Sequence, residues 1–170
     1  MTIELKNYAT DIKLNLSSIF REDSNNPLTK KQTLAIALAC AYSTKNQAII
    51  DYIIAEIGDL LNVTEIDACK GAATIMAMNN IYYRFVHLAS NKEYQKMPAK
   101  LRMNFINNHN IDKLDFELCS LAVSAITGCG MCIDAHINQL EKANISKNAI
   151  QDAVRIAAII NATATAIFIN

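Results

Sequence analysis

Apolar residues recur at helical spacing along almost the whole chain, and short polar clusters cut the pattern into segments. Leu5, Tyr8, Ile12, Leu16 and Ile19 mark one face of an amphipathic helix over residues 3–20, with Thr2 as a candidate N-cap. The polar run Arg21-Glu22-Asp23-Ser24-Asn25-Asn26-Pro27 ends it, and Thr29 can cap an Ala- and Leu-rich helix reaching about Tyr42. A third helix is predicted from Asn46 to Ile57, stopping at Gly58. Thr64, with Asp67 three residues on as a shortened capping box, is expected to open a long fourth helix through about Leu88. Residues 89–111, with Pro98 and the Asn107-Asn108-His109-Asn110 cluster, break the periodicity and read as a connection over the surface. Asp112 can cap a helix from Lys113 to Ile126, Gly128 interrupts it, a further helix runs to about Ala143, and Ser146 opens the last.

Composition narrows this to an all-α fold. Four Gly and two Pro in 170 residues are too few for the tight turns of a β-rich chain, and the length suits one domain, residues 1–170, with a sizeable core. The segments 28–88 and 114–169 read alike, as helix, short helix, long helix, which predicts an internal two-fold repeat. Counting on 86 residues sets Cys129 and Cys132 opposite Ser43 and Asn46, so the first copy would be scaffold. The apolar run Ile156 to Ile169 is too short to span a membrane and is broken by Asn161, Thr163 and Thr165; a buried helix or a subunit interface is expected.

Charge and cysteine content exclude several classes of function. Sixteen basic residues balance sixteen acidic ones, so no basic surface points to nucleic acid. Five cysteines is an odd number and Met1 to Lys6 does not resemble a secretory leader, so a reducing, cytoplasmic location is expected. Asn15, Asn62, Asn144 and Asn161 begin Asn-x-Ser/Thr triplets, which would stay unmodified there.

The candidate chemistry lies in Thr127-Gly128-Cys129-Gly130-Met131-Cys132-Ile133-Asp134-Ala135-His136, which contains the only Cys-x-x-Cys. On a helix entered near Cys129, the side chains of Cys129, Cys132 and His136 fall within about 60° of one another. Cys129 would lie in the first turn, where free N–H groups and the helix dipole favour a thiolate. A thiolate with a second sulfur one turn away can attack an oxidant and close a disulfide where the Cα separation permits. Glu117, in an otherwise apolar helix, is a candidate base whose pKa would rise on burial. Cys40, Cys69 and Cys119 sit in apolar helical patterns and read as core. His87 and His109 are isolated in the sequence, and no second Cys or His pair completes the four ligands of a structural zinc. A thioredoxin fold would need a strand before the motif, whereas residues 114–126 read as helix.

Glu117, Cys129, Cys132 and His136 reproduce a Glu-x11-Cys-x2-Cys-x3-His signature, and with it the chain resembles the alkyl hydroperoxide reductase AhpD family. Met78-Asn79-Asn80-Ile81-Tyr82-Tyr83-Arg84-Phe85, Leu101-Arg102-Met103-Asn104 and Phe116-Glu117-Leu118-Cys119 through Ile126 resemble it too, so the likeness spans nearly the whole chain. The resemblance implies an AhpD-like all-α fold with an internal repeat, a homotrimer, and reduction of hydroperoxides by a Cys129–Cys132 dithiol. It implies electrons from dihydrolipoamide on a lipoylated dehydrogenase-complex subunit, no bound cofactor or metal, and a peroxiredoxin partner, AhpC. Cys132 would be the nucleophile that becomes sulfenic acid and Cys129 its proton donor and disulfide partner, with His136 and Glu117 as proton relay. The dipole argument favours Cys129 instead as the more acidic thiol. Members of the family often carry histidine between the cysteines; Met131 cannot move a proton and points off the thiol face of an ideal helix, so an altered rate or pH optimum is expected. A disulfide-reductase adaptor with little peroxidase activity, a carboxymuconolactone decarboxylase-like enzyme and an inert scaffold are the alternatives.

Overall fold

The structure is a computed structural model that describes residues 3–21 and 23–170. It is all-helical among those residues: α1 (Thr10–Ile19), α2 (Lys30–Thr44), α3 (Gln47–Ile57), α4 (Val63–Leu88), α5 (Lys113–Thr127), α6 (Gly130–Lys142) and α7 (Lys147–Phe168). The expected Thr2 cap lies outside the described residues. The first helix starts later than its apolar spacing predicted, at Thr10 after a short 3-10 turn over Asn7–Ala9.

Most helix starts are set by the caps read from the sequence. Thr29 and Gln32 form a capping box at α2, Asn46 accepts from two amides at α3, Asp112 from two at α5, and Ser146 from one at α7. The long helix α4 differs. Asn62 rather than Thr64 is its cap, with Glu65 reaching back to the Asn62 amide, because Glu spans the box that a shorter Asp67 would leave open.

Caps recur at similar spacings along the chain. Thr29 and Asp112, Lys45 and Gly128, and Asn46 and Cys129 occupy like cap positions 83 residues apart, and Asn62 and Ser146 84 apart, where the sequence count is 86. At a spacing of 83, Cys129 falls at the position of Asn46 and Cys132 at that of Ile49. The first turns of α2 and α5 meet directly, where Gln32 Nε2 donates to Asp115 Oδ1 at 2.8 Å.

The two helices that meet there form the centre of the core. Residues 33–41 of α2 and 116–124 of α5 are buried without a break, so both helices are covered on every side. Both pack on α4 and α7, and α5 also carries α6. Ile156 to Ile169 contributes Ile156, Ile159 and Ile160 to this core, and no helix among the described residues is long and apolar enough to cross a membrane.

Cys40, Cys69 and Cys119 lie in the core as expected. Burial pushes the Cys40 thiol far up, and the Cys119 thiol is raised by its hydrogen bond with Cys69 and then by burial, so both stay protonated.

The connection 89–111 is less superficial than its polarity predicts. Its two 3-10 turns, Lys92–Lys96 and Asn104–Asn107, are followed by His109, which is buried and stacked on Phe116 with ring centroids 4.3 Å apart. The His109 Nδ1 accepts from the Ile111 amide. Burial lowers the His109 pKa, against the opposing pull of Glu117 and Asp112, while Lys113 adds to the lowering. Because the folded state disfavours imidazolium, the stability linked to His109 is present above its ordinary pKa of about 6.5 and is lost as pH falls through the depressed value. Urea midpoints at pH 7.5 and 5.5 are expected to fall with acidification, and by less in His109→Phe, which keeps the stacked ring; equal falls would show that His109 does not govern this range.

Candidate active site

The turn that carries the cysteines is built by backbone rules. Gly128 takes the left-handed conformation, φ 70°, that closes α5. Its amide bonds to Ala125 O, and the Cys129 amide to Ser124 O, the paired bonds of a Schellman ending. A glycine is needed at that angle. Cys129 then serves at once as the residue after α5 and as the N-cap of α6, its Sγ accepting from the Cys132 amide at 3.4 Å.

Helix α4 braces this turn. Arg84 Nη1 donates to Thr127 O at 2.5 Å, and fully buried Asn80 donates to Thr127 Oγ1 at 2.7 Å while accepting from Ser124 Oγ at 3.1 Å. Asn80→Ala strands the fully buried Ser124 hydroxyl, while Thr127 Oγ1 keeps its bonds to Val123 O and Ser124 O, and a loss of about 1–3 kcal/mol is expected in urea denaturation.

Cys129 and Cys132 are paired, with Cα atoms 5.3 Å apart, inside the range a disulfide requires. Cys129 is wholly buried. Cys132 is 7 % exposed and lines a cavity of about 310 Å³ with His136, Ala135 and Met131 from α6, Met76, Asn79 and Tyr83 from α4, and Ile106. Met131, expected to point away from the thiol face, is thus part of the same wall. The lining is almost entirely apolar.

The structure brings together all four residues singled out from the sequence. Glu117, 7 % exposed in the centre of α5, meets His136 across the helix interface, with Oε2 2.6 Å from Nδ1. The other ring nitrogen, Nε2, lies 3.4 Å from Met76 Sδ. A carboxylate on one ring nitrogen fixes the orientation of the imidazole beside the cavity, one turn along α6 from Cys132. A positioned carboxylate–imidazole pair beside a dithiol can take a proton from a thiol and return it to a leaving group.

The chain is 53% identical to the alkyl hydroperoxide reductase AhpD of Coxiella burnetii over 161 residues, covering 95% of this chain and 91% of that protein. The chain belongs to the AhpD family. The proteins of that name from Brucella canis and Azorhizobium caulinodans are each 52% identical over 164 residues, 96% of this chain, and 92% and 89% of their own length. The model of the Carboxymuconolactone decarboxylase family matches residues 92–168, which contain α5, α6 and α7.

Sequence reasoning missed three neighbours of the site. Met76 carries no signal of its own, being an ordinary member of a long helical pattern, and Asn79 lies in the Met78–Phe85 stretch that carries the resemblance without a role being read for it. His87, isolated in the sequence, stands over the dithiol turn, where a Cβ on Gly130 would lie 3.8 Å from its ring. Among the described residues no group of three or more His, Cys, Asp or Glu side chains is arranged to hold a metal ion.

Proposed function

We propose that this chain is a thiol-dependent alkyl hydroperoxide reductase with Cys132 as nucleophile. The observation that carries the reading is that Cys132, and not Cys129, lines the cavity together with His136. The Cys132 thiolate attacks the terminal oxygen of ROOH, the O–O bond breaks, and Cys132 becomes a sulfenic acid while the alkoxide takes a proton to leave as ROH. The Cys129 thiol then attacks the sulfenic sulfur, forming the Cys129–Cys132 disulfide and releasing water. Glu117 and His136 carry the protons, the short Oε2 to Nδ1 contact holding the relay in place. A dihydrolipoyl dithiol restores the thiols by exchange through a mixed disulfide on Cys132, leaving as the cyclic lipoyl disulfide.

The AhpD name of the relatives supports a peroxiredoxin, AhpC, as a second recipient of electrons, and a lipoylated dehydrogenase-complex subunit as donor fits the dithiol exchange. Assembly as a homotrimer in the cytoplasm belongs to the same reading. Ile81, Phe85 and Leu88 form an exposed apolar row on α4 that a neighbouring subunit would cover.

The test is hydroperoxide-dependent oxidation of dihydrolipoamide by the pure protein, with free thiols counted before and after one equivalent of cumene hydroperoxide. Steady turnover with loss of two thiols per chain is expected. Slow thiol loss without turnover would sink the peroxidase reading, and turnover confined to an AhpC disulfide would replace it with the adaptor.

A further inference from the structure

Residues 101–109 reach the dithiol cavity from outside the helical core. Ile106, in the 3-10 turn Asn104–Asn107, is the one lining residue that belongs to neither α4 nor α6. Those two helices both pack on α5, so their part of the wall cannot shift without disturbing the core. The part made by Ile106 can. Among the described residues the hydrogen bonds of this segment stay within it or go to Ile111: Ile106 N to Met103 O, Asn108 N to Phe105 O, Asn108 Nδ2 to Asn104 O, and Ile111 N to His109 Nδ1. Side-chain packing is what seats it on the helices, and a segment held in that way opens more readily than the core. Two rings make the seat specific. Phe105 lies so close to Gly71 of α4 that a Cβ on Gly71 would run into its ring, and His109 is stacked on Phe116 of α5.

The backbone marks both ends of the segment. Lys100, at φ 52°, and Asn110, at φ 58°, are left-handed without being glycine. Lys45 and Asn144 share this conformation but follow the ends of α2 and α6, where it is usual. Lys100 and Asn110 end no α-helix. Element-terminal and loop residues of this kind absorb the dihedral change when a segment swings.

His109 supplies a trigger. Its Nδ1 accepts from the Ile111 amide, so the neutral ring carries its proton on Nε2 and an added proton must land on Nδ1. Two donors then face each other, the hydrogen bond is lost, and a charged ring is left in a buried place. The charged groups that act on the ring are Glu117 and Asp112, which favour the imidazolium, and Lys113, which opposes it; burial outweighs them. No Asp, Glu, Lys or Arg lies in residues 103–111 to offset this. We propose that residues 101–109 are a movable wall of the dithiol cavity, seated by Phe105 on Gly71 and by His109 on Phe116, and that proton uptake by His109 unseats it and widens the approach to Cys132. Bulky molecules gain access to Cys132 on acidification, and small ones gain little.

The experiment labels the reduced protein at pH 7.5 and 5.5 with N-methylmaleimide and with the much bulkier N-(1-pyrenyl)maleimide, and reads the ratio of the two rates at Cys132 by peptide mapping. Both reagents consume the same thiolate, so its titration cancels in the ratio. No hydroperoxide turnover is needed, and the result stands apart from the peroxidase reading. Wild type is expected to show a several-fold rise in the bulky-to-small ratio on acidification, and His109→Phe a flat ratio. Gly71→Ala, which pushes the Phe105 ring off its seat, is expected to show a raised ratio already at pH 7.5. A flat ratio in wild type, or the same rise in His109→Phe, overturns the trigger; a Gly71→Ala ratio no higher than that of wild type overturns the movable wall. Label on buried Cys40, Cys69 or Cys119 at pH 5.5 would mark general unfolding and overturn the proposal as well. Should His109→Phe not fold, the wild-type ratio followed against pH decides. A change centred below the ordinary histidine value of about 6.5 supports the trigger, and one centred above it overturns it.

Discussion

Cys132→Ser abolishes hydroperoxide-dependent turnover, by about 10³-fold or more, because a serine hydroxyl at that position is neither acidic nor nucleophilic enough to open an O–O bond. Cys129→Ser loses steady turnover too, but for a different reason. Its Cys132 still reacts once, stops at the sulfenic acid, and loses one thiol per chain where wild type loses two. A sulfenic-acid trap followed by peptide mapping checks both variants. The pair of outcomes also decides between two physical arguments. The N-cap position of Cys129, with its Sγ facing the Cys132 amide, favours the Cys129 thiolate. Access favours Cys132, since Cys129 is wholly buried and does not line the cavity. If Cys132→Ser keeps a peroxide-reactive Cys129 at undiminished rate, acidity has won and the roles are reversed.

Glu117→Gln is expected to lower kcat for hydroperoxide reduction by about 10²–10⁴-fold with little change in KM. The amide keeps the shape of the side chain and can still accept from the imidazole, so His136 holds its place. What is lost is the negative charge 2.6 Å from Nδ1 that stabilises the ring when it carries the proton in transit. The pH–rate profile should change along with the rate, because the carboxylate of the relay is gone. Helix content should be unchanged. A profile and rate like those of wild type would remove Glu117 from the mechanism and leave it as a partner that only orients the ring.

Local sequence signals located most of the architecture. Thr29, Asn46, Asp112 and Ser146 open the helices they were expected to open, and Gly128 stops α5 because a residue at φ 70° there is tolerated best without a Cβ. The rise and twist of a helix also bring Cys129 and Cys132 together, since residues three apart lie on one face wherever the helix sits. Signals failed where two local solutions competed. Asn62 with Glu65 and Thr64 with Asp67 are both capping patterns within three residues, and side-chain reach selected the first.

The sequence by itself determined the all-helical class, the starts of α2, α3, α5 and α7 and the dithiol, because each depends on contacts among residues a few positions apart. Only the tertiary structure decided that Glu117 reaches His136 from another helix, that His109 is buried on Phe116, and that Cys132 rather than Cys129 opens into a cavity walled by Met76 and Asn79. Those relations depend on how α4, α5 and α6 pack. Packing is fixed by the summed burial of the whole core, and no short stretch of the chain encodes it.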